Sequence, residues 1–393
     1  MADDDSRKVV PLPESWRLLL QRGARCLRDG DYGRALEAFE QAHREAPDEP
    51  QVALALGREQ LRQGRYDAAE RLLRRALELQ PGSAAATAAL ARCLGLHQGK
   101  APEAFALLHS ALKACSEPAP LHVVRGELLL DSGAFLDARA AFGQAMDDPI
   151  SAEAAQLGLA RTYNSEGIAL CERGDHEPAI FALKRAADLD PTWAGPHVNL
   201  GVVFGRMGKL GKALEAYQAA LEREPASPVA LFNLGTAQHE LGQRKDAVHT
   251  FEELLLVAPD YPHARSALAN VLGELRDFDR TIALLLEELD ADGECVSCWS
   301  SLGLAYICAG NPARGEQCLL RALELDDGYF NAIHNLANLY VAQKRLDAAE
   351  ELLLRAAHVD PRRTAELLAT DGRFSHLRDR EALRGLQPPA NGQ

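Results

Sequence analysis

The hydrophobic positions of this chain recur with the period of amphipathic helices, and the helical segments come in pairs. In one example, the segment 194–206 is followed by the polar turn 207–209 and by a second segment, 210–224. Apolar residues at helical spacing on both sides of a short turn predict a helix hairpin. Pro225 then ends the second helix, because proline lacks an amide hydrogen and its ring clashes with the preceding turn.

This hairpin repeats along the chain with a period of 34 residues, which two independent markers show. The first marker is the proline that closes the second helix, at Pro47, Pro81, Pro191, Pro225, Pro259 and Pro361. The second marker is a small residue in the first helix, at Gly23, Gly57, Ala91, Gly126, Gly167, Gly201, Gly235, Ala269, Gly303 and Ala337. Successive small residues stand 34 apart except for one spacing of 35 and one of 41, so we predict ten hairpins with two insertions.

The residue types at fixed positions indicate how the two helices of a hairpin pack. Gly201 in a first helix and Ala213, twelve residues later, leave room for a close approach of the two backbones. Tyr217, four positions further on, is bulky, and the same position elsewhere holds Phe, Leu or Tyr. We expect this bulky side chain to fill the space between hairpins.

The two insertions have different predicted locations. One extra residue inside a helix would rotate its buried face by about 100°. The single insertion is therefore expected in the turn between Gly95 and Pro102. Seven residues make about two helical turns and keep the face aligned, so we predict one long helix from about Ser151 to Cys171.

At these positions the chain resembles the tetratricopeptide repeat, whose pattern appears here as Leu200-Gly201, Phe204, Ala213, Tyr217, Ala220 and Pro225. The resemblance covers about nine-tenths of the chain and implies an all-α fold: a right-handed superhelical solenoid of about ten helix-turn-helix repeats with a C-terminal capping helix. The expected organisation is a disordered acidic tail at 1–12, the solenoid at 13–363, a capping segment at 364–386 and a disordered tail at 387–393. Units are expected to begin near Trp16, Pro50, Ala84, Ala119, Ala160, Ala194, Pro228, Pro262, Val296 and Phe330.

Charge and hydropathy narrow the classes of partner. The net charge of −14 disfavours nucleic acid as the main partner, because its backbone demands clustered positive charge. The first ten residues carry three aspartates and no apolar core, and no apolar run approaches the roughly 20 residues that span a bilayer. We therefore expect a cytoplasmic protein that binds proteins or peptides, without membrane insertion.

The resemblance implies that first helices line a concave groove for peptide ligands, with the second, fifth, sixth, ninth, twelfth and thirteenth residue of each unit facing it. In the first three units these positions carry no acidic residue and the following arginines: Arg17, Arg28, Arg58, Arg62 and Arg92. They favour a ligand that is acidic at this N-terminal end. The alternative is that they are ordinary solubilising charges on helix surfaces.

From the sixth unit on, the same positions carry asparagines: Asn199, Asn233, Asn270, Asn335 and Asn338. Asparagine is a poor helix former, so five on one face suggest a binding role. Three of them occupy the sixth position and resemble the asparagine ladder with which the repeats of O-linked N-acetylglucosamine transferases hold a peptide backbone. The alternative is that asparagine is simply frequent at this position of the repeat.

Eight cysteines, irregularly spaced and mostly within predicted helices, are expected to be reduced thiols. Cys295 and Cys298 form a C-x-x-C, with Cys308 and Cys318 following. Four zinc ligands are disfavoured, because Cys308 lies roughly 15 Å along the helix from Cys298. We predict no metal and no cofactor.

No sequence motif of an enzyme is present: the chain has no Gly-rich phosphate loop, no G-x-S-x-G and no H-E-x-x-H. The leading hypothesis is a non-catalytic scaffold or adaptor that binds peptide segments of partner proteins. One alternative is the targeting subunit of a separately encoded enzyme. Another is a cysteine-based metal or redox sensor.

Overall fold

The computed structural model describes residues 15–378 and 380–384, and all regular structure in these residues is helical. Ten consecutive helix pairs are formed. Their first helices are α1 (Ser15–Arg28), α3 (Pro50–Arg62), α5 (Ala84–Leu96), α7 (Ala119–Asp131), α9 (Ala152–Glu172), α11 (Gly195–Arg206), α13 (Pro228–Glu240), α15 (Ala264–Glu274), α17 (Val296–Cys308) and α19 (Phe330–Ala342). Their second helices are α2 (Tyr32–Glu45), α4 (Tyr66–Leu79), α6 (Ala101–Ala114), α8 (Phe135–Gly143), α10 (His176–Leu189), α12 (Leu210–Arg223), α14 (Arg244–Val257), α16 (Phe278–Ala291), α18 (Pro312–Leu325) and α20 (Leu346–Val359). The all-α class and the ten repeats are confirmed.

Both insertions lie where the sequence predicts them. Nine of the ten hairpin turns have three residues, whereas the turn between α5 and α6 has four, residues 97–100. The seven-residue insertion lengthens the first helix of the fifth pair, and α9 runs without a break from Ala152 to Glu172. The period of 34 residues therefore follows from the lengths of two helices and two short connections.

The hairpin turns share one backbone conformation. Gly30, Gly64 and the glycines at the corresponding point of most other turns have φ between 69° and 85°, the left-handed region that glycine enters without steric cost. Arg276 (φ 65°) and Lys344 (φ 63°) occupy the same point in two turns. The repeat therefore keeps the same turn conformation even where a residue other than glycine must adopt a positive φ.

Glycine in the first helix accommodates the bulky residue of its own hairpin. A Cβ added to Gly201 would lie 2.3 Å from the ring of Tyr217, and one added to Gly23 would lie 2.4 Å from the ring of Phe39. Phe142 also packs against the next hairpin, because a Cβ added to Gly158 would lie 2.3 Å from its ring, so the bulky side chain contacts both its own hairpin and its neighbour. The side chain first fills the notch that the glycine leaves in the facing helix, which brings the two helices together.

Gly201→Ala is expected to destabilise the protein by about 1–3 kcal/mol, because the added methyl group overlaps the Tyr217 ring. Gly205 offers a matched control in the same helix, since no described atom beyond that helix lies within 4 Å of a methyl group placed there. Gly205→Ala is expected to stabilise by about 0.5–1 kcal/mol through higher helix propensity. Urea midpoints that shift in the same direction for both variants would contradict this packing.

The chain divides into two compact units, residues 1–199 and 200–393. In the first unit each first helix contacts the next, in the pairs α1–α3, α3–α5, α5–α7 and α7–α9. In the second unit the same holds for α13–α15, α15–α17 and α17–α19. Between residues 15 and 378, consecutive second helices make no comparable contact. Within each unit the first helices therefore form one layer, and residues at equivalent repeat positions on it become neighbours.

The second unit ends in α21 (Pro361–Thr370), a 3-10 helix (Gly372–Phe374) and α22 (Glu381–Arg384). Leu368, Phe374, Leu377 and Leu383 are fully buried in the cluster that includes Leu336 and Leu353 of the last pair. These four leucine and phenylalanine side chains cover the surface that a further repeat would otherwise bury. Leu386 and the predicted tails at 1–12 and 387–393 lie outside the described residues.

Candidate functional site

A cavity of about 740 Å³ lies on the first-helix layer of the first unit, between α3 and α5. Three of the five predicted arginines line it: Arg58 and Arg62, one turn apart on α3, and Arg92 on α5, 34 residues after Arg58. Tyr66 and Leu96 form part of its wall. Arg58 and Arg92 occupy the same position in successive repeats, which places their guanidinium groups on adjacent first helices. We call this site the arginine cavity.

Arg58 is the least compensated cation of the arginine cavity. Burial of the guanidinium and the positive charge of Arg92 lower the pKa of Arg58. Its Nη2 donates to the carbonyl oxygen of Ala85 at 3.4 Å, and among the described residues no carboxylate forms an ion pair with it. An anion entering the cavity would therefore gain an unshared charge partner.

Arg62 and Arg92 already have carboxylate partners, although the groove positions of the first three units carry no acidic residue. Arg62 donates to both carboxylate oxygens of the buried Glu59, at 2.6 and 3.1 Å. Arg92 donates to both oxygens of Glu127 on α7, at 2.8 and 2.9 Å. Glu127 occupies the ninth position of the fourth unit, so extending the groove rule by one repeat would have identified it.

The other two predicted arginines do not line the arginine cavity. The guanidinium of Arg17 lies 5.0 Å from the ring of Trp16, on α1. Arg28 is exposed at the last residue of α1. Tyr32, which sequence reasoning missed, stacks instead on Arg62, whose Cζ lies 3.6 Å from the ring centroid. The predicted set of five arginines thus separates into a cluster of three and two outliers.

A salt-bridge network supports the wall behind Tyr66. Glu70 is buried on α4 and accepts from Lys100 Nζ at 2.7 Å, while Arg74 lies 2.5 Å from its other oxygen. His97 stacks on Tyr66 with ring centroids 5.9 Å apart. Asp67, Glu70 and His97 bring three potential metal ligands within 4.8 Å, but Lys100 and Arg74 place positive charge against the central carboxylate. The arrangement is that of an ion-pair network and disfavours a divalent cation.

The asparagines are dispersed, and several are committed to local hydrogen bonds. Asn199 Nδ2 donates to Oδ1 of the buried Asn164 at 2.8 Å, within the first unit. In the second unit, Asn338 bonds His334 on its own helix at 2.9 Å, and His334 lies 3.8 Å from Asp371 of the capping segment. The cap thus lies against His334, the hydrogen-bond partner of Asn338, which the sequence pattern did not show.

Asn270 is the asparagine with the most open surroundings. It is exposed on α15, and Ser301 Oγ donates to its Oδ1 at 3.4 Å. The two residues line a cavity of about 300 Å³ together with Leu304 and Cys308 of α17, which we call the Asn270 cavity. Asn233 and Asn335 are half-buried on α13 and α19 and do not line this cavity.

The expectation of eight reduced cysteines is wrong at one place. Cys295 and Cys298 form a disulfide, with Cα atoms 5.3 Å apart, at the start of α17. Residues three apart at the first turn of a helix lie on the same face, which brings the sulfur atoms together. The remaining six cysteines, all within the described residues, form no disulfide.

Models of the tetratricopeptide repeat family match residues 27–93, 60–114, 206–271 and 331–359. The chain is a tetratricopeptide repeat protein. The arginine cavity and the Asn270 cavity lie within matched segments or the repeats that adjoin them. None of the helices in residues 15–378 and 380–384 has the length and hydropathy of a membrane span.

Curated relatives of this tetratricopeptide repeat protein are distant. Human tetratricopeptide repeat protein 7B is 27% identical over 124 residues, which are 32% of this chain and 15% of that protein. The peroxisomal targeting signal receptor of Eremothecium gossypii is 28% identical over 246 residues, covering 58% of this chain and 39% of the receptor. The chain therefore spans well under half the length of these relatives.

One of the similar solved structures is equally distant in sequence. It is a tetratricopeptide repeat protein with an unusual peptide-binding site, 21% identical, with a TM-score of 0.40 over 48% of this chain and 97% of that one. Proteins of the tetratricopeptide repeat family generally bind other proteins, and their fold is typically a scaffold without catalysis. Membership of the family therefore supports a role in protein binding and a scaffold fold.

Proposed function

We propose that this protein is a non-catalytic scaffold that binds an acidic peptide segment of a partner protein at the arginine cavity. The observation that carries the proposal is the convergence of Arg58, Arg62 and Arg92 on one cavity of about 740 Å³. A cavity of this size accommodates several side chains of a peptide. The relatives also include a receptor for a targeting signal, which supports a recognition role.

The charges of the cavity favour a carboxylate over a neutral ligand. A guanidinium presents a planar fork of donors that matches the two oxygens of a carboxylate. Arg58 has this fork unshared with any carboxylate of the described residues, and its lowered pKa reflects a poorly compensated charge. A ligand carboxylate beside Arg58 would offset the repulsion between Arg58 and Arg92, and this would contribute to the free energy of binding.

The internal carboxylate of Glu127 sets the strength of this binding. It holds Arg92 in a two-point ion pair across adjacent first helices. A peptide carboxylate therefore competes with Glu127 for Arg92 while it gains Arg58. This competition excludes weak, singly charged ligands and favours segments with more than one acidic residue.

A second contact region for the same class of ligand is the cavity lined by Asn270 and Ser301 in the second unit. An amide and a hydroxyl both donate and accept, so they suit the main chain of a peptide of any sequence. We assign this role to Asn270 among the five predicted asparagines. Asn338 and Asn199 are held by His334 and Asn164.

Charge reversal at Arg58 tests the proposal. We expect Arg58→Glu to weaken the binding of a fluorescein-labelled hexaglutamate peptide at least tenfold in fluorescence anisotropy, because repulsion replaces attraction. Glu127→Gln is expected to strengthen binding, since it removes the internal competitor. Arg71→Glu is the matched control, being an exposed arginine on the second helix of the same pair.

The proposal fails if the Arg58 and Arg71 variants lose affinity equally, which would indicate a general effect of net charge. Failure of Glu127→Gln to strengthen binding would remove the competition argument. Raising the salt from 50 to 300 mM is expected to weaken binding to the wild type, because screening acts on exposed charges. Helicity by circular dichroism should be unchanged in all variants.

A further inference from the structure

The disulfide between Cys295 and Cys298 spans the first turn of α17 in the second unit. Cys295 is the N-cap residue, is half-buried at the edge of an apolar cluster, and has its Sγ 3.5 Å from Oγ of the exposed Ser297. Cys298 is 1% exposed and packs in a cluster with Leu285, Leu289 and Leu302. The bond thus joins a partly exposed cysteine to one that is almost fully buried.

This disulfide is poorly placed to act as a structural staple. Its two cysteines are three residues apart in the sequence. The stabilisation that a disulfide provides by restricting the unfolded chain grows with the length of the loop it closes. A bond across a single helical turn restricts little, and the turn is already held by the helix itself.

The start of α17 also favours the thiolate form of Cys295 once the bond is opened. Cys295 Sγ accepts a hydrogen bond from the backbone N–H of Cys298 at 3.3 Å. The positive end of the helix dipole lies at the same point, and both effects stabilise a thiolate. Asp292 and Glu294 act in the opposite direction, but both are exposed to solvent, which screens their charge.

Other cysteines of the chain lack this combination of features. Burial raises the pKa of Cys93 to about 11, and it raises the pKa of Cys318 as well. Cys308 is exposed at the C-terminal end of α17, ten residues after Cys298. Accessibility, a helix N-terminus and a bonded second sulfur occur together only at Cys295 among the described cysteines.

We propose that Cys295 and Cys298 form a redox-active site that exchanges electrons with a dithiol or a disulfide of a second molecule. A thiolate of the dithiol attacks Cys295 Sγ, and the bond to Cys298 breaks as Cys298 leaves with the electron pair and takes up a proton. The second thiolate of the dithiol then attacks the first sulfur of the same dithiol, which is bonded to Cys295 in the mixed disulfide. Cys295 leaves with the electron pair and takes up a proton. In total, the site gains two electrons and two protons, and the dithiol becomes a disulfide.

The site is coupled by position to the Asn270 cavity. Ser301, Leu304 and Cys308 of the same helix line that cavity, and Ser301 lies three residues after Cys298. The disulfide and these lining side chains therefore lie on one helix, with Ser301 about one helical turn from Cys298. No residue of α17 lines the arginine cavity, so this redox site is separate from the proposed binding site for acidic peptides.

The test uses the full chain equilibrated in mixtures of reduced and oxidised dithiothreitol, followed by alkylation and peptide mass mapping. We expect Cys295 and Cys298 to convert together, gaining two alkyl groups as the reduced fraction rises. The proposal is overturned if both remain thiols in fully oxidised dithiothreitol, or if both remain bonded in fully reduced dithiothreitol. This readout involves no peptide ligand, so it is independent of the proposed scaffold function.

Two variants test the asymmetry of the site. In Cys298→Ser, the accessible Cys295 is expected to form a mixed disulfide with oxidised glutathione at least tenfold faster than Cys298 does in Cys295→Ser. Serine is itself a good N-cap, so Cys295→Ser keeps the start of α17 intact. Cys308 serves as an internal control whose rate should be equal in the two variants. Equal or reversed rates at Cys295 and Cys298 would refute the assignment of Cys295 as the attacked sulfur.

Discussion

Phe142→Ala is expected to destabilise the protein by about 3–5 kcal/mol, a large effect for a single substitution. The Phe142 side chain is fully buried on α8. Its ring lies against Gly126 of α7 and Gly158 of α9, where an added Cβ would come within 2.8 and 2.3 Å of it. Alanine would leave a cavity between three helices whose backbones are already packed, so the surroundings can relax only partly.

Phe181→Ala is the matched control for this prediction. Phe181 lies on α10, and its side chain is 65% exposed. Removing an exposed ring is expected to change the free energy of unfolding by no more than about 0.5 kcal/mol. Urea unfolding of both variants, followed by circular dichroism, measures the difference. Similar midpoint shifts for the two variants would show that Phe142 does not hold α7, α8 and α9 together.

The contacts of Phe142 show which packing contacts could be predicted from the sequence and which could not. Gly126 and Phe142 stand sixteen residues apart, as do Gly201 and Tyr217, so their contact repeats with the period and was predictable. Gly158 belongs to the seven-residue insertion, which has no counterpart in other repeats. The sequence predicted the length of α9 from this insertion, but the glycine contact depends on tertiary packing that no periodicity encodes.

The candidate site was predictable to a similar extent. Arg58 and Arg92 occupy the same position in successive units, and that equivalence places them together at the arginine cavity. The carboxylate partners of Arg62 and Arg92 were not predicted, because Glu59 and Glu127 lie outside the positions and units that the groove rule covered. Asn338 was assigned to the groove by the same rule, yet the capping segment, which is not a repeat, lies against its neighbour His334.

Glu70→Lys is expected to destabilise the protein by about 3 kcal/mol or more, because it buries a positive charge against Lys100 and Arg74. Glu70 connects α4 to the four-residue turn at 97–100, of which Lys100 is the last residue. The ion pair between Lys100 and Glu70 therefore fixes the turn that contains the inserted residue to the preceding repeat. Glu103→Gln is the control, since Glu103 also binds Arg74 but is half exposed, and its loss should cost less than about 1 kcal/mol.

The pH dependence of Glu70→Gln separates the charge of Glu70 from its shape. The hydrogen bond from Lys100 is the largest cause that lowers the pKa of Glu70 below its ordinary value of 4.5, with the charges of Arg74, Lys100 and His97 adding to it. A carboxyl group with a lowered pKa in the folded state stabilises the protein above the unfolded-state pKa, and this contribution is lost as the pH falls through the folded-state value. The difference in stability between wild type and Glu70→Gln should therefore be constant above about pH 7.5, where the charges around Glu70 do not change, and shrink below about pH 4.5. A difference that stays constant down to pH 3 would mean that Glu70 acts through packing alone, and the turn at 97–100 would then be held by the stacking of His97 on Tyr66.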